Sequence, residues 1–505
     1  MKKIRRIRVL NTDKKQQGQY MTPSFIVNMI LDSLELNGKK ILDKNIMEPS
    51  FGDGSFLQEI VKRIIKEADK ENVCDILNEN IFGIEKDTEL YNKAISNLNE
   101  ILKENNLPKI EWKNLINGDT LVLYKNYIHK FDYVIGNPPF VNIHNIKEEY
   151  RDVLKDFNFT SGTIDLYIIF YEIGIQLLND DGMLGFISPN SFIINKSQKK
   201  YRDYLLNEKL LKTIINFKDS KIFKDAQTYT CICVLDKNNR KEDLHYLEYK
   251  DENCIVDEIF NYDLFNDTVW NLGNKEDVLF LNSNRNLKTK VKDIATVQNT
   301  VCTNRDSVYI FKVYEDENLS IPYMGKHTDK LKTVWFSDKD NHIYKIESNI
   351  LRRVVKETRF NGIIDNTYIL YPYKETILIS EDKLKKEYPL AYHYLHSEKE
   401  ELCNRDMEKN SPWYAFARSQ GILNMDKQKV IIKRWFEKNS KIIPYLLEED
   451  IVVYAGLYTT SENLDKVMKI YSSDDFLRYC SLKGRDMQNE YVGLSTTILK
   501  NFGIQ

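Results

Sequence analysis

Cysteine is scarce and scattered in this chain. Seven cysteines occur among 505 residues, no two form a Cys-x-x-Cys pair, and none has a histidine at zinc-finger spacing. Zinc sites and disulfide frameworks depend on such spacings. We therefore expect neither a metal ion nor disulfide bonds.

Long apolar runs are also missing. No run approaches the ~20 residues that span a bilayer, and the basic residues 1–8 lack the apolar block of a signal peptide. These absences favour a cytoplasmic protein without a membrane partner. With 42% hydrophobic residues, the chain is long enough for two or three domains with cores of their own.

The net charge of −2 gives no sign of a nucleic-acid ligand, because phosphate contacts normally require a basic surface. Basic residues are nevertheless concentrated locally, at 196–202 and 427–434. Such patches permit phosphate contact, but they can equally be solvated faces. Charge therefore neither supports nor excludes DNA as a partner.

Apolar runs typical of strands alternate with helical stretches through the first half of the chain. The runs lie at 45–48, 81–85, 111–117, 131–135, 183–188, 211–217 and 229–235. This alternation predicts βαβ units and an α/β fold with a doubly wound, parallel, Rossmann-like sheet. Ligands of such sheets bind beyond the carboxyl ends of the strands.

Acidic residues and glycines stand where the first three strands end. Residues 48–54 form a glycine-bearing turn into a helix, and glycines let the backbone approach a ligand closely. Glu85 ends the second strand, where α/β folds bind a ribose diol, and Asp119 follows the third, where it could accept from an adenine amine. Each acid alone could be a solvated turn residue. Because no Gly-x-x-x-x-Gly-Lys-Ser/Thr sequence is present, S-adenosylmethionine fits this pattern better than ATP.

The fourth strand ends in Asn137-Pro138-Pro139-Phe140. The amine of adenine shares its lone pair with the ring, so it attacks a methyl donor only when two acceptors pull its hydrogens out of plane. Asn137 Oδ1 and the Pro138 carbonyl could be those acceptors, the prolines stiffen the loop, and Phe140 could stack on the base. The alternative is an ordinary Pro-Pro turn capped by Asn137.

These motifs, together with residues 18–23, resemble the gamma group of adenine-N6 DNA methyltransferases over the first half of the chain. The resemblance implies a Rossmann-like methyltransferase sheet that binds S-adenosylmethionine and acts on an adenine flipped out of duplex DNA. It implies these cofactor-binding residues: Tyr20, Thr22, Pro23, Glu48, Pro49, Ser50, Gly52, Asp53, Glu85, Asp119, Asn137 and Asp165. Thr120 departs from the family pattern, which often has an aromatic residue there.

The resemblance also implies walls for the flipped base. Phe140 and Phe223 would enclose the ring, and Tyr167, in the motif that follows Asp165, would lie nearby. Tyr167 could equally be a core aromatic residue, because Ile164, Ile168 and Tyr171 share its helical face.

The charged, Asn-rich segment 236–243 suggests a boundary between residues 1–240, a catalytic domain, and residues 241–505, an α+β region. In the gamma group a target-recognition domain follows the catalytic domain, and this region has the place and size for one. Side chains suited to base edges and phosphates are candidates for DNA contact there, although they could also belong to core strands: Arg418, Gln420, Lys433 and Arg434.

The sequence therefore predicts a site-specific adenine DNA methyltransferase with double-stranded DNA as its partner. It could act in a restriction-modification system with a separate endonuclease, or as an orphan methylase. Methylation of RNA amines or protein glutamine amides, or a catalytically silent DNA-binding role, remain alternatives. The sequence leaves the choice between monomer and dimer open.

Overall fold

The computed structural model describes residues 21–141, 157–159, 165–218, 220, 222, 229–239, 241–250, 253–265, 269–314, 333–338, 342–438, 440–487 and 491–505. Tyr20 and Phe223 lie outside these described residues. Two compact units divide the chain, Met1–Leu279 and Phe280–Gln505.

The first unit is built around a nine-stranded sheet with the order β3-β2-β1-β4-β5-β7-β6-β8-β9. The first five strands therefore follow the Rossmann order, which reverses between β1 and β4. The strands are β1 Ile46–Glu48, β2 Ile81–Glu85, β3 Leu115–Asn117, β4 Phe131–Gly136, β5 Leu178–Pro189, β6 Leu211–Asn216, β7 Thr230–Asp236, β8 Asp243–Lys250 and β9 Asn253–Asn261.

The sheet is mixed, whereas the sequence pattern predicts a parallel one. Strands β1 to β5 pair in parallel, but β7 runs antiparallel to both β5 and β6. The doubly wound α/β architecture itself is confirmed.

Apolar side chains fill both faces of this sheet. Ile46, Ile135 and Ile232 belong to one core cluster. Their strand neighbours Met47 and Val134 belong to another. Because successive strand residues point to opposite faces, helices must cover both. The helices of this unit are Ser24–Ser33, Ser55–Glu67, Val73–Asn80, Thr88–Glu104, Thr120–Leu123, Leu166–Leu177 and Lys199–Asn207.

Strands β8 and β9 belong to the first unit, because β8 pairs in parallel with β6 and β9 pairs with β8. The sequence-based boundary at 240/241 therefore falls inside the sheet, and the compact units divide at 279/280 instead. The charged, Asn-rich segment therefore connects two strands of one sheet, β7 and β8, although its composition is also typical of a linker.

The second unit combines several mainly antiparallel sheets with short helices, the predicted α+β character; one pair of strands, β15 and β22, is parallel. A six-stranded sheet has the order β14-β13-β12-β16-β15-β22, a four-stranded one β11-β23-β19-β21, and a three-stranded one β20-β25-β24; two-stranded ladders pair β10 with β26 and β17 with β18. The strands are β10 Thr289–Lys290, β11 Thr296–Asn299, β12 Ile310–Tyr314, β13 Thr333–Ser337, β14 Ile343–Glu347, β15 Leu351–Lys356, β16 Thr367–Leu370, β17 Tyr373–Lys374, β18 Ile377–Leu378, β19 Lys429–Ile432, β20 Trp435–Glu437, β21 Tyr445–Leu447, β22 Val452–Tyr454, β23 Leu457–Thr460, β24 Arg485–Asp486, β25 Tyr491–Gly493 and β26 Gly503–Ile504.

Helix Lys275–Asn286 spans the division between the units. The other helices of the second unit are Val291–Ile294, Asp306–Tyr309, Glu381–Glu387, Pro389–Ser397, Lys399–Cys403, Leu464–Tyr471, Asp474–Lys483 and Thr496–Asn501. None of the described helices combines the length and the apolar character that crossing a bilayer requires.

Candidate active site

The predicted site residues at the ends of β1, β2, β3 and β4 lie along one edge of the sheet. These strands are adjacent and parallel in the order β3-β2-β1-β4, so their carboxyl ends meet. The edge coincides with the reversal of strand order, which is where open α/β sheets bind ligands. The predicted convergence of Glu48, Glu85, Asp119 and Asn137 follows from this geometry.

The turn after β1 needs glycine at two positions. Gly52 has a φ of 54° and Gly54 a φ of 82°, the left-handed region that other residues avoid. The backbone N–H of Gly52 donates to Glu85 Oε2 at 2.8 Å. The turn is therefore held against the end of β2, with its backbone facing the sheet edge.

Glu85 is buried at the end of β2 and accepts backbone hydrogen bonds with both oxygens. Oε2 accepts from Gly52 and Oε1 accepts from Asp87, each at 2.8 Å. Burial raises the pKa of Glu85, and the two backbone N–H groups partly offset that effect. A carboxylate has about four acceptor positions. Glu85 can thus hold the turn and still accept from a diol.

Glu48 is 1% exposed at the end of β1. Burial, together with the charges of Glu85 and Asp53, raises its pKa well above the ordinary value. Gly136 on β4 packs so closely that a Cβ there would lie 3.3 Å from Glu48 Cγ. Among the described residues, Glu48 Oε2 has no hydrogen-bond partner. The site therefore contains a buried acceptor that a cationic ligand group could satisfy.

Glu48 should lower the stability of the cofactor-free protein at neutral pH. Its raised pKa means that the folded state binds more protons than the unfolded state, so stability falls as pH rises through that pKa. Glu48→Gln is expected to raise the cofactor-free Tm at pH 8 by about 1–2 °C, since ~1 kcal/mol shifts the Tm by roughly that amount for a unit as large as the first one. Thermal melts at pH 5 and pH 8 measure the difference, with the exposed Glu71→Gln as control. An equal or lower Tm for Glu48→Gln at pH 8 would contradict this assignment.

Asp119 caps the short helix that begins at Thr120. Its side chain accepts from the backbone N–H of Leu121, and its other oxygen pairs with Lys86 at 2.9 Å. Thr120 Oγ1 donates to the Pro49 carbonyl and so ties this segment to the turn after β1. A small hydroxyl residue makes that contact possible, which gives the departure from the family pattern a structural role.

The Asn137 loop is fixed from two sides. Asn137 Nδ2 donates to Thr22 Oγ1 at 3.1 Å, and its backbone carbonyl accepts from Ser50 Oγ at 3.3 Å. The first bond sets the rotation of the amide, so the position of Oδ1 is also set. Thr22 and Ser50, both predicted cofactor-binding residues, therefore contact the predicted catalytic asparagine. Pro23 serves as the N-cap residue of helix Ser24–Ser33, beside Thr22.

Beyond Asn137, the loop is tied to the next helix. The Val141 carbonyl accepts from the backbone N–H of Leu166 at 2.9 Å. Asp165 is the N-cap residue of helix Leu166–Leu177 and thus lies next to the Asn137 loop. Phe140 is half-buried and packs against one of the two core clusters. The structure therefore brings Phe140 and Asp165 to the same end of the sheet as Asn137.

Two predicted site residues occupy structural positions. Tyr167 is 1% exposed inside the core, where its hydroxyl hydrogen-bonds Ser191 Oγ at 3.1 Å. This position favours the core alternative for Tyr167, and its contact with a flipped base stays a prediction. Asp53 is buried and accepts from Lys93 Nζ and Ser55 Oγ, each at 2.9 Å, so it joins the turn to helix Thr88–Glu104.

The four predicted DNA-contact residues differ in their surroundings. Arg418 forms an ion pair with Asp406 and bonds two backbone carbonyls, so its guanidinium is held within the unit. Gln420 and Lys433 are exposed, and Arg434 is half-buried at the start of β20. The segment 433–434 is thus better placed for an external ligand than Arg418.

Glu357 lies buried near this segment. Burial raises the pKa of Glu357 to about 8, although Arg434 and Lys433 oppose the shift. A Cβ at residue 456 would lie 2.3 Å from Glu357 Oε2, so glycine is required there. The carboxyl group is therefore enclosed in the fold and close to neutrality at physiological pH.

Glu357 should make the protein less stable at alkaline pH. The folded state keeps a proton up to about pH 8, so the free energy of unfolding falls as pH rises from the unfolded pKa to about 8. Glu357→Gln should be more stable than wild type at pH 9 by a few kcal/mol, from about 1.4 kcal/mol per pKa unit. Urea denaturation at pH 6 and pH 9 measures the difference, with the exposed Glu462→Gln as control. If the free energy of unfolding of the wild type is the same at pH 6 and pH 9, the assignment is contradicted.

The sequence did not predict the long-range contacts that two residues of the first unit make. Lys93 pairs with Asp53 from the middle of a helix, and Thr120 bonds the Pro49 carbonyl. Lys93 stands in no motif, Thr120 stands where this chain departs from the family pattern, and neither side chain carries a signal of its long-range partner. Their roles depend on packing between elements that are distant in the sequence.

Comparison with known proteins gives one family match. Residues 27–223 match the family described as "Eco57I restriction-modification methylase". The matched span contains β1 to β6, the glycine turn and the Asn137 loop.

Curated relatives include the Escherichia coli "Type II restriction enzyme and methyltransferase RM.Eco57I", 26% identical over 60% of this chain and 32% of that protein. The "Type II methyltransferase M.BstVI" of Geobacillus stearothermophilus is 30% identical over 45% of this chain and 43% of that protein. The chain therefore spans less than half the length of these two relatives.

A solved structure, the Type IIL restriction-modification enzyme MmeI in complex with DNA, matches with a TM-score of 0.60 and 16% identity. The match covers 98% of this chain and 69% of that chain, and at this identity it shows the fold alone. In sequence, residues 27–223 are similar to Eco57I-type restriction-modification methylases, and Type II methyltransferases are among the chain's relatives.

Proposed function

We propose that the protein is a DNA methyltransferase that transfers a methyl group from S-adenosylmethionine to the exocyclic amine of an adenine flipped out of duplex DNA. The observation that carries the proposal is the position of the Asn137 loop, which is bonded to the same glycine turn that Glu85 holds. An acceptor suited to a planar amine therefore lies next to acids suited to a nucleoside cofactor.

The residues at the sheet edge suit S-adenosylmethionine. Glu48 offers a buried carboxylate oxygen for the ammonium group of the methionine moiety, and Glu85 offers acceptors for the ribose hydroxyls. Asp119 would accept from the adenine amine of the cofactor. When bound, S-adenosylmethionine supplies an electrophilic methyl group on a sulfonium.

The Asn137 loop would activate the target amine without a strong base. Asn137 Oδ1 and the Pro138 carbonyl accept the two N–H groups, which turns the nitrogen lone pair away from the ring. As the N–C bond forms and the C–S bond of the sulfonium breaks, positive charge grows on the nitrogen and both hydrogen bonds strengthen, so they stabilise the transition state more than the ground state. The sulfur would leave as a neutral thioether, and the methylated nitrogen would lose one proton to solvent. The rigid prolines keep the two acceptors in place, and Phe140 would stack on the base.

The relatives support DNA as the substrate. Their names describe Type II methyltransferases and restriction enzymes, and the matched segment contains the candidate site. The second unit would recognise the target sequence. A role in restriction-modification, with or without a separate endonuclease, and a cytoplasmic location belong to the same proposal.

Transfer of labelled methyl groups to different polymers tests the proposed substrate. The protein is incubated with methyl-labelled S-adenosylmethionine and, in separate reactions, duplex DNA of mixed sequence, RNA, or a protein extract. We expect label in duplex DNA at least tenfold above RNA and protein. Label that accumulates in RNA or in protein instead would overturn the proposal.

A further inference from the structure

A three-stranded sheet in the second unit brings distant residues into one row. In the antiparallel sheet β20-β25-β24, Trp435 pairs with Gly493, and Gly493 pairs with Arg485. Residues that pair across a sheet point to the same face. Trp435 and Arg485 therefore flank Gly493 on one face, although they are far apart in the sequence.

This face is open and carries large side chains. Trp435 is 46% exposed, Tyr491 43% and Met487 42%, while Phe436 and Val492, on the opposite face, are buried. A Cβ at Gly493 would lie 3.1 Å from Met487 Sδ and 3.5 Å from Trp435 Cδ1. Because Gly493 has no side chain, the surface is depressed between Trp435 and Met487. We call Trp435, Arg485, Tyr491, Met487 and Gly493 the Trp435 face.

One cation, Arg485, lies on the Trp435 face, and a second, Lys433, precedes Trp435 by two residues in the chain. Lys433 and Arg485 are exposed, and neither forms an ion pair with any residue that the structure describes. Arg418, by contrast, is paired with Asp406. Glu437, which pairs with Tyr491 in the sheet, is an exposed acid at the margin. Protein interfaces also favour Trp, Tyr, Met and Arg, but their centres are depleted in charged residues. Cations without ion-pair partners beside exposed aromatic rings are typical of nucleic-acid surfaces.

We propose that the Trp435 face is a duplex-DNA contact surface of the second unit. Lys433 and Arg485 would bind phosphates, and Trp435 and Tyr491 would pack on sugars and base edges between them. This inference rests on the proposed function for its partner. The proposed contact surface therefore includes Trp435, Arg485, Tyr491 and Met487 in addition to the segment 433–434.

Equilibrium binding to a duplex, measured by fluorescence anisotropy at several salt concentrations, tests the inference in the full chain. Arg485→Gln and Lys433→Gln should each weaken binding about tenfold at low salt and lower the salt slope by about 1, the value expected for one lost phosphate contact. Trp435→Ala should weaken binding about five- to tenfold, because the packing of its ring on the DNA is lost, with little change in the salt slope, because no phosphate contact is removed.

The matched control is Trp335→Ala, because Trp335 is another partly exposed tryptophan of this unit, with Lys345 Nζ 5.5 Å from its ring centroid. Trp335→Ala should leave the affinity within twofold. Equal losses in Trp335→Ala and Trp435→Ala, or unchanged affinity in Arg485→Gln, Lys433→Gln and Trp435→Ala alike, would overturn the inference. A change in oligomeric state by light scattering, with DNA affinity unchanged, would assign the face to a second copy of the chain and also overturn it.

The two proposals can fail separately. If wild type binds duplex DNA, loses affinity in Arg485→Gln and transfers no methyl group to DNA, the contact surface stands and the proposed activity fails. If wild type methylates DNA and the variants bind as tightly as wild type, the activity stands and the contact surface fails. S-adenosylmethionine affinity should be unchanged in every variant of the Trp435 face.

Discussion

Asn137→Ala is expected to lower kcat for methyl transfer by about 10²–10³-fold, the usual cost of removing one preorganised hydrogen-bonding group that acts on the transition state. The affinity for S-adenosylmethionine should stay within about threefold of wild type. The variant loses the amide that would accept from the amine, whereas the Gly52 turn remains bonded to Glu85. Single-turnover kinetics with duplex DNA, together with calorimetric titration of the cofactor, separate the two effects.

The control for this variant is Asn92→Ala, an exposed asparagine on helix Thr88–Glu104. Asn137→Asp is informative as well, because it keeps an acceptor but adds a negative charge and removes the donor to Thr22. We expect it to retain more turnover than alanine and less than wild type. A loss of cofactor affinity in Asn137→Ala as large as the loss in turnover would contradict the proposed role.

Glu85→Ala is expected to weaken S-adenosylmethionine binding by about 10²-fold or more. Loss of two charge-assisted hydrogen bonds to ribose hydroxyls costs about 3 kcal/mol, at roughly 1.5 kcal/mol each. The variant also releases the backbone N–H groups of Gly52 and Asp87, which loosens the turn. Calorimetric titration measures the affinity.

Glu89→Ala, an exposed acid in the first turn of the next helix, is the matched control for Glu85→Ala and should bind the cofactor like wild type. A Glu85→Ala variant that binds within threefold of wild type would remove Glu85 from the cofactor site. Glu48→Gln, assayed in parallel, should also bind more weakly, because a neutral amide replaces the partner of an ammonium group.

The Rossmann-like sheet was predictable because its strands are short apolar runs that end in polar residues. Strand β2 matches its predicted bounds, and β1 and β4 differ by one residue at one end. The convergence of strand ends follows from parallel pairing, so Glu48, Glu85 and Asn137 could be grouped before any coordinates. The direction of β7 could not, because β7 inserts between β5 and β6, and the sequence pattern does not show which strands become neighbours.

The burial of individual side chains could not be predicted from the sequence. Tyr167 lies in the matched motif, yet its helix is buried almost all around, and a motif does not reveal how much room surrounds a side chain. Asp53 lies in the glycine turn, but Lys93 occupies its carboxylate. The Trp435 face forms only through the register of three strands. The sequence shows that Lys433 and Trp435 are close in the chain, but it does not show that Arg485 lies across Gly493 from Trp435.

Nucleoside analysis of DNA methylated by the wild-type protein tests the central claim most directly. If an amide and a carbonyl hold a planar amine beside the cofactor site, mass spectrometry of the digested duplex should find the label in N6-methyladenine, with the signal lost in Asn137→Ala. Label in 5-methylcytosine would contradict the account, because methylation of a ring carbon requires a covalent nucleophile rather than two hydrogen-bond acceptors.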